Sequence, residues 1–323
     1  MTDHSQMKLG KRPRRHDART LKLARYLKSG LPSAPPRVDY SCGITNFGMM
    51  LNDQIGCCTI AAAAHAVQVW TANAGTEITF PDPVILDYYR TWDGYNPADP
   101  STDQGGVELD VLNDWRKQSF AGHGLDAYAA LSAIPDSGFR ILEVQTAIWL
   151  FGGVYIGLEL PLSAQNQEVW DIEPSGDVAI GRLSDFKSPN HSITKSPDDP
   201  GSWGGHAVIL VGYDTTDSES RIPNSGAVTT PAPSAPPLLN PEGSLVGPTP
   251  DSRFTTPDSY APSTGFLTCI TWGQLKKMSW PWFAKYCSEA YGLVSKDWLR
   301  ATGLAPSGFD LATLEADLKF VTS

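Results

Sequence analysis

The sequence lacks most of the features that assign a chain quickly. Its five cysteines (Cys42, Cys57, Cys58, Cys269 and Cys287) form an odd set without regular spacing, and no C-x-x-C pair occurs. A disulfide framework and a thiolate zinc site are therefore unsupported, and a reducing compartment is the simpler expectation. No stretch reaches the roughly 18 apolar residues that a membrane span needs. Arg14-Arg15 runs into His16-Asp17 rather than an apolar segment, so the basic start does not read as an export signal. The H-E-x-x-H, G-x-x-x-x-G-K-[ST] and G-x-G-x-x-G patterns are missing, which leaves metalloprotease, nucleotide and dinucleotide readings without a motif. There is no internal repeat. The expectation is a cytoplasmic protein with no metal and no cofactor.

Charge is also sparse, at 19% of residues, against 41% hydrophobic and 10% aromatic content. This is the composition of a packed domain rather than a disordered chain. The 323 residues suit one globular domain with appendages. The net charge of −10 is unevenly spread: residues 1–28 carry nine basic side chains against Asp3 and Asp17, leaving the remainder near −17. An acidic body is no nucleic-acid surface, so nucleic acid is conceivable only through the basic arm. The plainer reading is a solvated tail, or an arm lying on the acidic body.

Residues 1–40 read as a basic, Pro-containing arm with one short helix near 18–29. Residues 41–57 read as a loop. From Thr59 the run TIAAAAHAVQVWTA is free of Gly and Pro and predicts a buried helix beginning near Cys57-Cys58. Further helices are expected at 82–92, 106–119 and 141–151. Strands are expected at 153–161, 206–214, 266–273 and within 292–299, bounded by Gly and Pro. The aromatic cluster of Trp280, Trp282, Phe283, Tyr286 and Tyr291 suggests a helix over 274–290 packed on the core. Helices first and strands second predict an α+β fold of two subdomains with a cleft between them. Residues 215–264 hold 10 of the 26 prolines. They read as an insertion into the domain formed by 41–214 and 265–323, either a surface loop or a partner-binding segment.

Two residues stand out chemically. Cys58 opens the Ala-rich helix, where backbone N–H groups and the helix dipole favour a thiolate. His206 begins an apolar strand immediately after Gly204-Gly205, with rigid backbone beneath it and space in front. On local sequence alone Cys57 and Cys58 read equally well as ordinary buried thiols. His65 lies one face-turn from Cys58, about 10 Å along the helix, and reads as a core residue; His123 reads as a loop residue.

NDQIGCCTIAAAAHA (52–66) resembles the active-site cysteine segment of papain-like peptidases. GGHAVILVGYD (204–214) resembles their histidine segment, DQGGVELDVLNDW (103–115) their Gly-Gly segment, and ITWGQ (270–274) their N-S-W-G segment. The four occur in the family's order. The chain also looks like a bacterial and phage group within that superfamily.

The resemblance implies a papain-like fold with an N-terminal helical subdomain and a C-terminal antiparallel β subdomain. It implies a cysteine peptidase acting on a peptide or protein substrate, with Cys58 as nucleophile and His206 as base. The oxyanion donors would be the Cys58 N–H and an upstream amide, Asn52 by position or else Gln54. Gly105 and Gly106 would line the substrate groove. The family's Asn falls on Ile270, which cannot orient an imidazole; adjacent Thr271 can do so only if the strand register shifts. Trp272 would shield the histidine and border the substrate site. Cys57 stands where the family has Ser or Asp, and a competing nucleophile or redox-sensitive pair is open there. The alternative is a papain-like scaffold without strong activity, serving assembly in a virion or homo-oligomer through the arm and the insertion.

Overall fold

A computed structural model describes residues 3–27, 31, 33–134, 138–139, 141–172, 196–216 and 265–302. Apart from 215–216, the expected insertion lies outside the described residues.

The first long helix, α1 (Cys58–Asn73), is buried at every position from Cys58 to Thr71. A helix enclosed on all sides needs small residues where neighbours approach, which accounts for the alanine run. Two amphipathic helices follow, α2 (Asp82–Asp93) and α3 (Glu108–Lys117). Helix α2 stops at Gly94, whose φ of 79° is the left-handed conformation that favours glycine. Helix α4 (Ile141–Phe151) is buried from Glu143 onward.

The strands are β1 (Arg37–Asp39), β2 (Leu125–Ala130), β3 (Ala133–Ile134), β4 (Gly138–Phe139), β5 (Val154–Leu160), β6 (Gly204–Asp214), β7 (Phe266–Thr271), β8 (Gln274–Ser279) and β9 (Cys287–Ser295). Seven of them form one sheet in the order β2-β9-β5-β6-β7-β8, with β1 paired to β6; β3 and β4 form a separate pair. All of these strand pairings are antiparallel. Strand β6 is covered on both faces and reads as a continuous apolar run, AVILV. Helices plus this antiparallel sheet make the α+β fold expected from the sequence.

The segment 274–290 departs from the single helix expected there. It divides into β8, a two-turn helix α5 (Trp280–Tyr286) and the start of β9. Ser279 caps α5 by accepting the Trp282 N–H at 3.3 Å, and Pro281 sits in its first turn. Within β8, Lys276 is buried while Leu275 is exposed, and this inverted polarity disguises the period-2 pattern. Trp280, Trp282, Phe283 and Tyr286 are core residues, as expected of that cluster. Strand β2, at the sheet's edge, has no counterpart in the sequence reading. A last helix, α6 (Lys296–Thr302), follows β9.

The arm lies on the body. Leu21, Leu23, Tyr26 and Leu31 are buried, and among its described residues the helical content is one 3-10 turn, Leu23–Arg25. Its end, β1, joins the sheet opposite Gly212–Asp214. All five cysteines are free thiols. Among the described residues no cluster of His, Cys, Asp and Glu is arranged to hold a metal ion. No helix among them is long and apolar enough to cross a membrane.

Candidate active site

Cys58 is the first residue of α1, and its sulfur is fully buried. Sγ accepts the backbone N–H of Ala207 at 3.3 Å. This contact brings the helix start against β6 at the residue next to His206. His206 is itself buried, and its Nε2 lies 2.7 Å from Thr271 Oγ1. With Nε2–H donating to that hydroxyl, Nδ1 is the basic nitrogen, and it is buried without a hydrogen-bond partner.

Thr271 reaches the imidazole because the β6–β7 register shifts. Gly212 pairs with Thr268, yet Leu210 pairs with Cys269 and Ile209 with Ile270. The extra residue, Val211, instead gives its carbonyl to the Tyr40 N–H at 3.0 Å. An unshifted ladder would set Thr271 opposite Ile209, on the face away from His206. The one-residue shift moves it to the face shared by Val208 and His206. Ile270, at the family's Asn position, is core.

Trp272 has a φ of 47°, a left-handed conformation uncommon for a bulky residue, and is 3% exposed. Its ring stacks on His206 with centroids 4.6 Å apart, and His4 of the arm stacks against Trp272 at 5.0 Å. It therefore covers the imidazole and is itself covered by the arm.

The loop before Cys58 is held under strain. Met50 and Leu51 both have positive φ, 52° and 61°. Asn52 follows them, buried, with Nδ2 3.5 Å from the Lys8 carbonyl. Gln54 is exposed. Cys57 Sγ donates to the Met50 carbonyl at 3.3 Å. Two residues given no role in the sequence reading, Asp103 and Tyr89, tie this loop to the Gly-Gly segment. Asp103 accepts the Gly56 N–H at 3.0 Å and the Tyr89 hydroxyl at 2.6 Å, and Tyr89 in turn accepts the Gly105 N–H at 2.9 Å. Thr59 donates to Asp93 at 2.9 Å; burial pushes that carboxyl up to about 7.

The cleft between these elements is filled by the arm. Lys11 N–H donates to the Gly205 carbonyl (3.0 Å), Arg12 N–H to Gly106 (2.8 Å), and Gly106 N–H to Gly10 (2.7 Å). Lys8 N–H donates to the Asn52 carbonyl at 3.1 Å. The Gly10 backbone comes close enough to the Cys58 sulfur to favour its charged form. The fit needs glycine on both sides: a Cβ on Gly10 would stand 1.7 Å from the Gly56 oxygen, and one on Gly105 would stand 1.8 Å from the Gly10 oxygen. The arm thus lies across the elements that carry Cys58, Gly106 and Gly205.

Burial behind the arm sets the electrostatics. It pushes the Cys58 thiol up to about 12, against hydrogen bonds from Ala207 and Gly10 that lower it, and it drives His206 down to about 3. In this state both groups are neutral at pH 7. His65 is core: Nε2 bonds the Phe47 and Gly48 carbonyls at 2.9 and 3.2 Å. His123, a loop residue, pairs with Asp297 at 2.9 Å.

No family model matches the chain, and no curated protein matches it by sequence. Solved structures do. The chain is similar to xylellain, a cysteine protease from Xylella fastidiosa, with a TM-score of 0.51 and 13% identity over 91% of this chain and 98% of that one. It is also similar to digestive procathepsin L 3 from the larval midgut of Tenebrio molitor, with a TM-score of 0.46 and 11% identity over 90% and 77% of the two chains. At such identities the likeness is one of fold, and it rests on the first of these structures.

Proposed function

We propose that this chain, which has the papain-like α+β fold, is a thiol hydrolase of peptide or protein amides, held latent by its own N-terminal arm. The supporting observation is the junction of α1 and β6. There the Cys58 sulfur accepts the Ala207 N–H beside His206, and His206 Nε2 lies 2.7 Å from the Thr271 hydroxyl, a contact that supports an Nε2–H tautomer with Nδ1 as the basic atom.

In the reaction His206 Nδ1 takes the Cys58 thiol proton, and the thiolate attacks the amide carbon. The resulting oxyanion is met by the Cys58 N–H, which has no acceptor within its own helix, and by the Asn52 amide. The imidazolium returns its proton to the leaving amine, and water then hydrolyses the thioester. Thr271 acts as a positioning residue in place of an amide side chain. Gly105 and Gly106 supply the backbone edge on which substrate lies, the edge the arm now occupies. Arm release solvates the pair and allows a thiolate–imidazolium to form.

A scaffold reading has one observation of its own: thiol and imidazole are both fully buried behind the arm. It covers the virion or homo-oligomer roles, with the arm and the 215–264 segment as contacts. A quenched-fluorescence peptide library separates the two. The hydrolase reading expects cleavage that vanishes in Cys58→Ala and falls at least ~100-fold in His206→Ala. Cleavage that survives Cys58→Ala, or none after the arm is displaced, favours the scaffold.

A further inference from the structure

One buried cluster is not used by the Cys-His chemistry. Beside the Gly10 contact with Cys58, the Lys11 side chain leaves the cleft and enters the protein with no solvent exposure. Its ammonium lies 2.8 Å from Glu159 Oε1 and 3.2 Å from Glu289 Oε1. Glu108, on the first turn of α3, is fully buried close by, and neither of its carboxylate oxygens has a hydrogen-bond partner. Three carboxylates from α3, β5 and β9 thus converge on one ammonium.

The floor of this pocket is a glycine. A Cβ on Gly157 would stand 2.1 Å from Lys11 Cε, 2.8 Å from Glu108 Oε1 and 2.8 Å from Glu289 Cγ. Strand β5 therefore omits a side chain where a lysine stem passes. The carboxylates are held from behind: the Tyr291 hydroxyl donates to Glu289 Oε2 at 2.9 Å, and Ser288 Oγ to Glu159 Oε1 at 3.3 Å. The ammonium also donates to the Arg12 carbonyl at 3.3 Å, a group that belongs to the arm itself.

We propose that this pocket, lined by Glu108, Glu159 and Glu289 over Gly157, is a specificity site for a basic side chain of the substrate, and that Lys11 occupies it as a stand-in while the arm is closed. The inference rests on the hydrolase reading for its substrate, but the pocket is a binding site whether or not the chain is active. Burial, and then the charge of Glu289, push the Glu108 carboxyl well up, while Lys11 lowers it; removing Lys11 leaves three buried or half-buried carboxyl groups facing one another without a cation, an unfavourable arrangement for every one of them that stays charged. An alkylammonium or guanidinium relieves it, an isosteric apolar chain does not, and an acidic one makes it worse. Closed, the cluster stabilises Lys11 in its charged form: burial lowers its pKa, but the charges of Glu108, Glu289 and Glu159 outweigh burial and raise it. The pocket adjoins the arm residue beside Cys58, so the basic residue it selects lies near the bond to be cleaved.

The test uses the full chain. In Lys11→Ala, n-butylammonium and N-acetyl-lysine amide should raise the melting temperature, whereas N-acetyl-norleucine amide should not. Gly157→Val in the same background should abolish the shift. Should Lys11→Ala lose its fold to carboxylate repulsion, Gly10→Ala provides a second route, in which peptides with Lys or Arg near the scissile bond should be cleaved at least ~10-fold faster than their norleucine counterparts. Ammonium binding without hydrolysis overturns the enzyme and keeps the pocket. Hydrolysis without a basic preference, or equal shifts with lysine and norleucine amides, overturns the pocket and keeps the enzyme.

Discussion

Gly10→Ala isolates the arm from the chemistry, because Gly10 is neither nucleophile nor base and its substitution removes no side chain. The added methyl would stand 1.7 Å from the Gly56 oxygen and 2.3 Å from the Gly56 carbonyl carbon. Both are backbone atoms in the loop tied down by Asp103, so the arm must yield rather than the wall. Lifting residues 8–12 breaks four hydrogen bonds: Lys8 to Asn52, Lys11 to Gly205, Arg12 to Gly106, and Gly106 to Gly10. At about 1 kcal/mol net each, closure is worth about 4 kcal/mol from the backbone alone. That corresponds to roughly a thousandfold bias toward the closed state at about 1.4 kcal/mol per decade. An iodoacetamide time course with peptide mapping reads this as the rate of Cys58 alkylation at pH 7. The expected outcome is acceleration of about 10³-fold in Gly10→Ala and no change in Gln6→Ala, a control at an exposed arm residue. Unchanged alkylation in a folded Gly10→Ala chain would refute the reasoning that the arm seals the sulfur.

Three further outcomes follow from the same geometry. With the arm displaced, Thr271→Val should slow Cys58 alkylation about 10-fold, while Thr271→Ser, which keeps the hydroxyl 2.7 Å from His206, should restore it; equal rates in both would deny Thr271 a positioning role. Cys57→Ser should leave Cys58 alkylation unchanged, since its thiol donates to Met50 at the loop rather than to the reacting pair; a large loss would show that the two thiols act together. Burial lowers His65 to about 4, against carbonyl hydrogen bonds that raise it, so the folded state binds fewer protons than the unfolded one between pH 6.5 and 4. Its contribution is complete above pH 6.5 and is lost as pH falls through that window, by roughly 3 kcal/mol at about 1.36 kcal/mol per unit; denaturant midpoints of His65→Gln should fall less steeply with acid than those of the parent, and parallel profiles would contradict this.

The positions of Cys58 and His206 within the fold are legible in sequence because each marks a change of texture: an alanine run with no breaker, and a Gly-Gly turn before an apolar strand. Thr271 is only half legible. It is the neighbour of the position that matters, and what brings it to the imidazole is the shift at Val211, which no local pattern in GGHAVILVGYD announces. The arm's place in the cleft is not legible at all. Gly10 meets Gly56 and Gly105 across the fold, and glycine spacing carries no sign of which glycines will touch. Glu108, Glu159 and Glu289 are hidden for the same reason. Each reads as an ordinary acidic residue on its own element, and only the packing of α3, β5 and β9 draws them around Lys11. The misread helix at 274–290 has a different cause: a buried lysine and an exposed leucine reverse the expected polarity of β8.

The central claim is that Cys58 and His206 react as a pair once uncovered. Its most direct measurement is the pH dependence of Cys58 alkylation in Gly10→Ala, with and without His206→Ala. The expected rate is already high at pH 6–7 with His206 present and falls to the behaviour of an ordinary thiol, titrating near 8.5, without it. Superimposable profiles with and without the imidazole, or alkylation that appears first on Cys57 or Cys42, would contradict it.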